Sequence, residues 1–365
     1  MIRVPVATPS RSYEVLIGSG LLARAGECLS KMLENRRVFV VTVPPVRRRW
    51  AKVLRKSLSA SGIEIGLLEM PDGERSKRLA TLEKLAEKLI KQGADRGITL
   101  IALGGGVVGD VTGFLASIYM RGVDVIQVPT TVLAQVDAAI GGKTGVNLVS
   151  GKNLLGTFHQ PRVVLIDTGV LETLPAREYR AGLYESLKCG IIGDPGLFRL
   201  FEDRRSEILD RDPAVVEKVI ADSVRLKASV VSADEREGGL RQVLNFGHTI
   251  GHALESETRY TQLLHGEAVA WGMIGATHIA LSTGKLDSVT AGRITNSVLG
   301  LGRLPRMKLK TANIVKRLRA DKKTRQGVVH FILPREIGKV EITSDVPEAI
   351  VRSAVDEIRK LSRNL

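Results

Sequence analysis

Three histidines and a glutamate in the second half of the chain could together hold a metal ion. His248 and His252 lie four residues apart in NFGHTIGHALE, a spacing that places both side chains on one face of a helix. His265 follows in LHGEAVAWGM, and Glu185 lies in GLYESLKCG with Lys188 one helical turn later. Histidine nitrogens and a carboxylate around an open position are typical of catalytic zinc. A histidine pair alone is more often structural, and the glutamate of H-E-x-x-H is absent, so the third histidine is what favours a metal site.

A glycine-rich segment in the first half of the chain, LGGGVVGD at Leu103–Asp110, could bind a phosphate group. Gly104, Gly106 and Gly109 fit the pattern G-x-G-x-x-G between a candidate strand and a candidate helix, where backbone N–H groups can approach a phosphate closely. The pattern follows the fourth candidate strand, and Asp124, the next acidic residue, begins its strand at the wrong end to contact a ribose. The segment therefore predicts a pyrophosphate loop of an α/β topology other than the ordinary Rossmann unit, with a tight packing turn as the alternative.

The segment Val128–Pro161 is rich in hydroxyl, amide and glycine residues and contains Lys143 and Lys152. This composition suits an anion, because lysine supplies charge and glycine gives access. Asp137 is flanked by apolar residues and would need a partner if it is buried. The alternative is a long structural loop with solvated lysines, although a loop of this length is uncommon unless it is functional.

Short apolar runs alternate with helical patterns through the first half of the chain. Amphipathic stretches such as Ser76–Lys91 separate the runs, which favours a mainly parallel sheet covered by helices. The candidate strands are Tyr13–Ile17, Arg37–Thr42, Glu64–Glu69, Ile98–Leu103, Val123–Val128 and Val163–Ile166.

Helical periods dominate from Arg177 to about Ala320. Val328–Leu333 and Lys339–Thr343 could pair as a hairpin, and a last helix is expected at about Pro347–Leu361. We therefore predict an α/β dinucleotide-binding domain with a mainly parallel sheet over residues 1–172, and an all-α metal-binding domain over residues 173–365.

The net charge of +15 raises the question of nucleic-acid binding. The basic clusters Arg47–Arg49 and Arg317–Arg325 lack interleaved aromatic residues, and aromatics make up only 4% of the chain, so base stacking is not expected. We predict a scattered surface excess and no nucleic-acid partner. No apolar stretch predicts a membrane span or a signal peptide, and Cys28 and Cys189 form no disulfide or metal pattern, so a cytoplasmic location is expected.

From about residue 70 to 335 the sequence closely resembles the 3-dehydroquinate synthase family. Seven or more blocks in one order carry this resemblance: PDGERSK, LGGGVVGDVTGFLAS, YMRG, VPTTVLAQVDAAIGGKTGVN, GKNLLGTFHQP, DEREGGLRQVLNFGHTIGHALE, LHGEAVAWGM and DKK. The family fold implies a nucleotide domain and a helical metal domain with the active site between them. It also implies a homodimer in which Arg121 reaches across into the neighbouring site.

The resemblance assigns roles to individual residues of this chain. It implies one divalent metal per subunit, Zn²⁺ or Co²⁺, held by Glu185, His248 and His265. Positions implied to contact NAD are Glu74, Lys77, Gly105, Gly106, Val107, Asp110, Thr130, Thr131, Asp137, Lys143, Lys152 and Thr173. Positions implied to act on the substrate or its protons are His252, Glu237, Lys152, Asn153, Arg241, Asn245, Lys227, Lys188, Arg121 and one of Lys322 and Lys323.

The implied reaction converts 3-deoxy-D-arabino-heptulosonate 7-phosphate to 3-dehydroquinate and phosphate, a step of the shikimate pathway of aromatic amino-acid synthesis. Transient oxidation of a secondary alcohol by NAD makes the neighbouring C–H acidic, phosphate is eliminated, the hydride returns, and an internal aldol reaction closes the ring. The alternatives are another sugar phosphate cyclase, or a polyol or glycerol-phosphate dehydrogenase of the same architecture. A nucleic-acid-binding protein that kept an inactive enzyme fold would be a different class, and the intact metal ligands argue against it.

The sequence departs from the family at two places. The loop after the second candidate strand reads TVPPV over residues 42–46, where the family usually has T-D-x-N-V. The usual aspartate helps to hold the adenosine ribose, so NAD binding is expected to be weaker. Arg47–Arg49 could favour an extra phosphate, but we expect them to begin the next helix and face solvent, and NAD to be preferred over NADP. Tyr184 replaces a common alanine and is expected to alter only packing.

Overall fold

The protein consists of two compact units. The structure, a computed structural model, describes residues 1–33, 37–324 and 329–364, and leaves the side chains of 320–324 and 364 undescribed. The first unit comprises Met1–Leu174 and Val216–Arg236, and the second comprises Pro175–Val215 and Glu237–Leu365. This departs from the predicted division in one segment, since residues 216–236 pack with the first unit.

A seven-stranded sheet forms the centre of the first unit, with strand order β1-β2-β9-β6-β5-β3-β4. Only β1 against β2 is antiparallel within it, so the prediction of a mainly parallel sheet is confirmed. The strands of this sheet are β1 Ile2–Ala7, β2 Ser12–Gly18, β3 Val38–Thr42, β4 Ile65–Glu69, β5 Thr99–Gly104, β6 Asp124–Pro129 and β9 Val163–Asp167.

The inner strands are buried along their whole length because helices cover the parallel sheet. Every residue of β3, β5 and β9 is buried, which explains their continuous apolar sequences. The helices of this unit are α1 Ala25–Leu33, α2 Pro44–Val46, α3 Lys52–Ala60, α4 Leu79–Lys91, α5 Gly106–Ile118 and, from Val216 onward, α9 Pro213–Ala233.

Strand β1 and one hairpin were not predicted. β1 contains Pro5, which cannot donate to a sheet ladder and is tolerated because this strand lies at the sheet edge. The predicted loop Val128–Pro161 contains an antiparallel hairpin of β7 Lys143–Leu148 and β8 Gly151–Phe158, so the loop prediction was wrong there. Its glycines allow close contact between the strands, since a Cβ on Gly156 would lie 1.9 Å from the Thr144 carbonyl oxygen.

The second unit is mainly helical, as predicted. Its strands, β10 Phe331–Glu336 and β11 Lys339–Thr343, form the expected hairpin, although residues 325–328 lie outside the described part of the chain. The helices are α6 Ala176–Ile192, α7 Pro195–Asp203, α8 Arg205–Leu209, α10 His248–Glu257, α11 His265–Ser282, α12 Ser288–Gly300, α13 Thr311–Thr324 and α14 Glu348–Asn364.

Helix α11 is buried along most of its length and packs closely against α10. A Cβ on Gly272 would lie only 1.8 Å from the carbonyl oxygen of Gly247, so only glycine permits this approach. None of the described helices is long and apolar enough to span a bilayer.

Candidate functional site

The predicted metal ligands lie on three helices of the second unit. Glu185 is in the middle of α6, His248 is the first residue of α10, and His265 is the first residue of α11. Gly247 precedes His248 with φ +79°, and a Cβ there would meet Val269 O at 2.8 Å. A glycine is therefore required immediately before the first histidine.

The structure brings these three side chains together. Glu185 Oε1 lies 3.6 Å from His248 Nε2 and 3.5 Å from His265 Nε2, and one potential ligand atom from each residue lies within 4.8 Å of the others. His252 is exposed, with its ring 5.3 Å from that of His248 and 6.0 Å from that of His265. The structure thus groups His248 with Glu185 and His265, and groups the exposed His252 with Glu255 and His265.

The hydrogen bonds of both candidate ligand histidines direct Nε2 towards Glu185. His248 Nδ1 contacts the Phe246 carbonyl oxygen at 3.2 Å, and His265 Nδ1 contacts Glu255 Oε2 at 3.3 Å. A carbonyl and a carboxylate can only accept, so each Nδ1 carries a proton, and in the neutral ring Nε2 then keeps its lone pair. Burial, and after it the positive charge of Lys188, hold the pKa of His248 well below its usual range, which keeps the ring neutral.

The donor set fits a divalent cation. Glu185 is only 1% exposed, and its Oε1 has no hydrogen-bond donor among the described residues. A buried carboxylate oxygen and two imidazole lone pairs facing one another are unfavourable without a positive charge between them. Lys188 forms an ion pair with the other oxygen, Glu185 Oε2, so it neutralises one side of the carboxylate and leaves Oε1 available.

Of the remaining predicted residues of the second unit, Lys188 lies on α6, His252 on α10, and Arg241 and Asn245 on the 3₁₀ helix Leu240–Asn245, which Glu237 precedes. Asn245 Nδ2 donates to Glu237 Oε1 at 2.8 Å, and Arg241 is buried with 2% exposure. The side chains of Lys322 and Lys323 lie outside the described part of the chain. Tyr184 is buried in α6, as expected for a packing residue.

Two buried glutamates that support His265 were not predicted. Glu267 accepts from the Leu264 N–H at 2.8 Å and from Arg177 through both carboxylate oxygens, which fixes the start of α11. Glu255 contacts the ring of His265 itself. The signal was present, because Glu255 lies seven residues after His248 on the same helical face, and Glu267 lies at the third position of its helix, where a glutamate often caps.

In the first unit, the predicted pyrophosphate loop lies between β5 and α5. β5 ends at Gly104 and α5 begins at Gly106, so the first-turn N–H groups have no partner within the helix. A Cβ on Gly105 would lie 3.1 Å from Thr131 Cγ2, and one on Gly106 would lie 3.3 Å from Ala138 Cβ. Small residues at a helix N-terminus fit the pyrophosphate of a dinucleotide.

A polar network lies beside this helix. Lys77 Nζ donates to Asp110 Oδ2 and to Asn153 Oδ1. Asn147, which was not predicted, accepts from the Asn153 N–H at 2.9 Å and donates to Glu74 Oε1 at 2.7 Å. Burial raises the pKa of Asp110, against the effect of Lys77. The network therefore connects four predicted residues, Glu74, Lys77, Asp110 and Asn153, and the link between Asn153 and Glu74 is the unpredicted Asn147.

Other predicted residues of the first unit form hydrogen bonds within that unit or lie at the start of α5. Lys227 Nζ donates to Asp137, which supplies the partner that the sequence required. Val107 lies in the first turn of α5, and the Thr130 N–H donates to the Gly104 carbonyl oxygen at 2.9 Å. Thr173 donates within its own 3₁₀ helix, to Val170 O at 3.2 Å.

Of the other predicted cationic residues, two lie in the β7–β8 hairpin and one lies in the YMRG turn. Lys143 begins β7 and is exposed, and Lys152 is the second residue of β8 and half-buried. Arg121 is exposed with φ +71°, next to Met120 with φ +48°, so the YMRG turn holds two non-glycine residues in a left-handed conformation. Asp124 begins β6 and pairs with Arg11 and Arg162.

Comparison with protein families assigns both halves of the chain. A family model described as 3-dehydroquinate synthase N-terminal matches residues 67–181, and one described as 3-dehydroquinate synthase C-terminal matches residues 182–324. The chain belongs to the 3-dehydroquinate synthase family. A 3-dehydroquinate synthase of Koribacter versatilis is 56% identical over 363 residues, which cover 99% of each chain.

Solved structures of related cyclases have the same fold. The 2-epi-5-epi-valiolone synthase of Streptomyces hygroscopicus, solved with NAD⁺ and Zn²⁺ bound, is 31% identical with a TM-score of 0.89, over 97% of this chain and 99% of that one. A 2-deoxy-scyllo-inosose synthase, solved with carbaglucose-6-phosphate, NAD⁺ and Co²⁺, is 28% identical with a TM-score of 0.87, over 98% of this chain and 99% of that one. The predicted family and fold class are confirmed.

The structure also shows what replaces the family's usual loop after β3. Val43 is 4% exposed and packs in the core, and its carbonyl oxygen accepts from the Arg47 N–H at 2.9 Å. Arg47, Arg48 and Arg49 are exposed on the helical segment that follows, as predicted, and Arg47 Nε pairs with Glu69 Oε2 at 2.6 Å. The chain therefore turns into a helix at the position where the family usually has an aspartate.

Proposed function

We propose that this enzyme converts 3-deoxy-D-arabino-heptulosonate 7-phosphate to 3-dehydroquinate and phosphate. The observation that carries the proposal is the convergence of Glu185, His248 and His265 in a chain 56% identical to a 3-dehydroquinate synthase over its whole length. The 2-epi-5-epi-valiolone synthase and the 2-deoxy-scyllo-inosose synthase are only 31% and 28% identical to this chain.

Glu185, His248 and His265 would hold one divalent cation, Zn²⁺ or Co²⁺. A cation at this site would act as a Lewis acid on the hydroxyl oxygens of the substrate. Lys188 keeps a positive charge beside Glu185 and is positioned to favour a developing negative charge on the substrate. Asn245 and Glu237 share a hydrogen bond, so the amide orients the carboxylate that we propose to exchange protons with the substrate, together with His252.

The N-terminus of α5 and the network around Asp110 would hold NAD. Bound there, NAD supplies reversible oxidation of a secondary alcohol. The N–H groups of Gly106 and Val107 would donate to its pyrophosphate. Thr130, Thr131, Asp137, Lys143 and Thr173 complete the proposed nucleotide contacts, as the family pattern implies.

The substrate carries a phosphate and a carboxylate, which call for cationic side chains. We assign Lys152 and Asn153 on β8 to the phosphate, with one of Lys322 and Lys323. Arg241 and Lys227 are assigned to the carboxylate, because a planar guanidinium donates two parallel hydrogen bonds to it. A cyclase acting on a sugar without that carboxylate would not need them.

We also propose a homodimer in which Arg121 of one subunit serves the site of the other. Among the described residues, β8 pairs only with β7, and it exposes Leu154 at 60% and Phe158 at 44%. Met120, beside Arg121, is 48% exposed. Apolar side chains exposed on a strand suit contact with a second copy of the same chain. A cytoplasmic location is part of the proposal.

Phosphate release from the heptulosonate phosphate tests the function directly. With NAD and zinc present, we expect phosphate release without net formation of NADH, inhibition by a chelator and recovery with added zinc. Accumulation of NADH would indicate a dehydrogenase. Release only from a phosphorylated sugar without the carboxylate would indicate another cyclase.

Two histidine variants make the same assay specific for the metal site. His248→Ala removes one of three ligands and should reduce both phosphate release and zinc content to background. His278→Ala is the matched control, because His278 lies on α11 and contacts Ser353 instead. Near-stoichiometric zinc in His248→Ala would contradict this ligand set.

A further inference from the structure

We propose that Glu255 is a positioning residue of the metal site, whose carboxylate fixes the ring orientation and the tautomer of His265. The proposal rests on the metal site proposed above and adds a residue outside the predicted ligands. The decisive contact joins Glu255 Oε2 to His265 Nδ1 at 3.3 Å, while Nε2 of the same ring lies 3.5 Å from Glu185 Oε1.

The two ring nitrogens of His265 have different partners and therefore different tasks. A carboxylate accepts a hydrogen bond and cannot donate one, so Glu255 selects the tautomer with the proton on Nδ1. The lone pair of Nε2 then faces Glu185, where the cation would lie. A negative charge behind the ring also raises the electron density on Nε2, which strengthens its bond to a metal.

The environment of Glu255 supports a specific task. The residue is 3% exposed, and burying a carboxylate is costly unless it is paired. It lies seven residues after His248 on α10, so one rigid helix carries both a ligand and the residue that orients a second ligand. His248 is oriented differently, by the main-chain carbonyl of Phe246. The carboxylate contacts His265, which is less buried than His248.

The same atoms could be read as a second metal site. His252, Glu255 and His265 each offer an atom within 4.8 Å of the others. That reading requires His265 to lose its Nδ1 proton while Nε2 binds the first ion, which leaves a histidine anion bridging two cations. The hydrogen bond to Glu255 needs no such deprotonation, and the geometry therefore points to a positioning role.

Zinc affinity and a cobalt spectrum test this role. We would compare the wild-type enzyme with Glu255→Gln and Glu255→Ala. Glu255→Gln keeps the size and one acceptor oxygen but loses the charge. Glu257→Gln is the matched control, because Glu257 lies on the same helix and pairs with Arg317 and Asn313.

Zinc affinity is measured by competition with a chromogenic chelator, and the ligand field by visible absorption of the Co²⁺-substituted protein. Loss of a carboxylate behind a metal-bound histidine typically weakens metal binding about 10- to 100-fold. We expect about tenfold for Glu255→Gln, more for Glu255→Ala, and a shifted cobalt band in both. Glu257→Gln should match the wild type in both measurements.

Wild-type zinc affinity and an unchanged cobalt band in Glu255→Gln would overturn the proposal, even if Glu255→Ala fails to fold. Two zinc ions per wild-type chain, reduced to one in Glu255→Ala, would make Glu255 a ligand instead. If the wild type binds no zinc, both this inference and the proposed metal site are wrong. If the wild type binds one zinc per chain and the Glu255 variants keep its zinc affinity and cobalt band, only the role of Glu255 is rejected.

Discussion

Lys227 on α9 donates hydrogen bonds to both the side-chain Oδ1 and the main-chain carbonyl oxygen of Asp137. The side chains are 7% and 30% exposed, so the pair is largely shielded from water. The contact connects the segment Val216–Arg236 to the rest of the first unit, although forty-one residues of the second unit, Pro175–Val215, separate them in sequence.

Removing Lys227 should therefore destabilise the first unit. Lys227→Met leaves the Asp137 carboxylate without this charged donor, and we expect a loss on the order of 1–3 kcal/mol in the free energy of unfolding. Urea denaturation measures it. Lys218→Met, which removes one of the two cationic partners of Asp222 from a side chain that is 59% exposed, should cost less than about 0.5 kcal/mol. Equal losses in the two variants would show that the Lys227–Asp137 pair stabilises the fold no more than the Lys218–Asp222 pair does.

Glu235 should make stability depend on pH. It accepts from the Ser10 N–H at 3.2 Å, from the Ser10 hydroxyl, and from Gln160 Nε2 at 2.9 Å. Burial raises the pKa of Glu235, but these hydrogen bonds outweigh it and the net shift is downward. A lowered pKa stabilises the fold above the ordinary glutamate value of about 4.3, and that stability is lost as the pH falls through the lower folded value.

The variant Glu235→Gln tests that dependence. It should lower the free energy of unfolding by about 1.5–3 kcal/mol at neutral pH, with a gap that narrows below roughly pH 4. Thermal unfolding across this pH range measures the gap. Glu27→Gln, which removes an exposed pair with Arg24, should stay close to the wild type throughout. A gap that is constant with pH would mean that the charge of Glu235 is not what stabilises the fold.

A shared active site predicts complementation between inactive chains. Arg121→Ala mixed with His248→Ala should recover activity, because a mixed dimer contains one site with both residues intact. At equal mixing and full exchange about a quarter of all sites should be active. His248→Ala mixed with His265→Ala is the control and should stay inactive, since both ligands belong to one chain. Absence of recovery after confirmed subunit exchange would reject the sharing of Arg121.

The segment after β3 should weaken NAD binding without changing the cofactor to NADP. Val43 offers no side-chain acceptor for a ribose hydroxyl, its carbonyl oxygen is engaged in the helix, and Arg47 is paired with Glu69. A lost charged hydrogen bond is worth roughly 1.5–3 kcal/mol, or about ten- to a hundredfold in affinity. Val43→Asp should therefore tighten NAD binding, although a buried carboxylate will also cost stability.

Titration of NAD and NADP against the wild type and Val43→Asp measures both effects, with thermal unfolding of each protein alongside. Tighter binding of NADP by the wild type would contradict the cofactor assignment. Unchanged NAD affinity in a well-folded Val43→Asp would show that this segment does not reach the ribose.

The sequence alone determined most of the architecture. Strands such as β3 and β5 are buried throughout and mainly apolar because both faces of a parallel sheet are covered, and that pattern is local and readable. The glycine loop and the helical second half were also predicted, and the three proposed metal ligands, taken from a family pattern, lie together in the structure. The hairpin β7–β8 was missed because glycine-rich strands lack the usual apolar alternation.

Only the tertiary structure decided which residues meet across long separations. The sequence showed that Asp137 would need a partner, but not that the partner is Lys227, which lies on a segment between two stretches of the second unit. Its spacing placed Glu255 on the same helical face as His248, but the contact of this carboxylate with His265 depends on the packing of α10 against α11. Hydrogen bonds between distant side chains depend on distance and angle in space, and residue types and spacing along the chain do not encode these until the helices have packed.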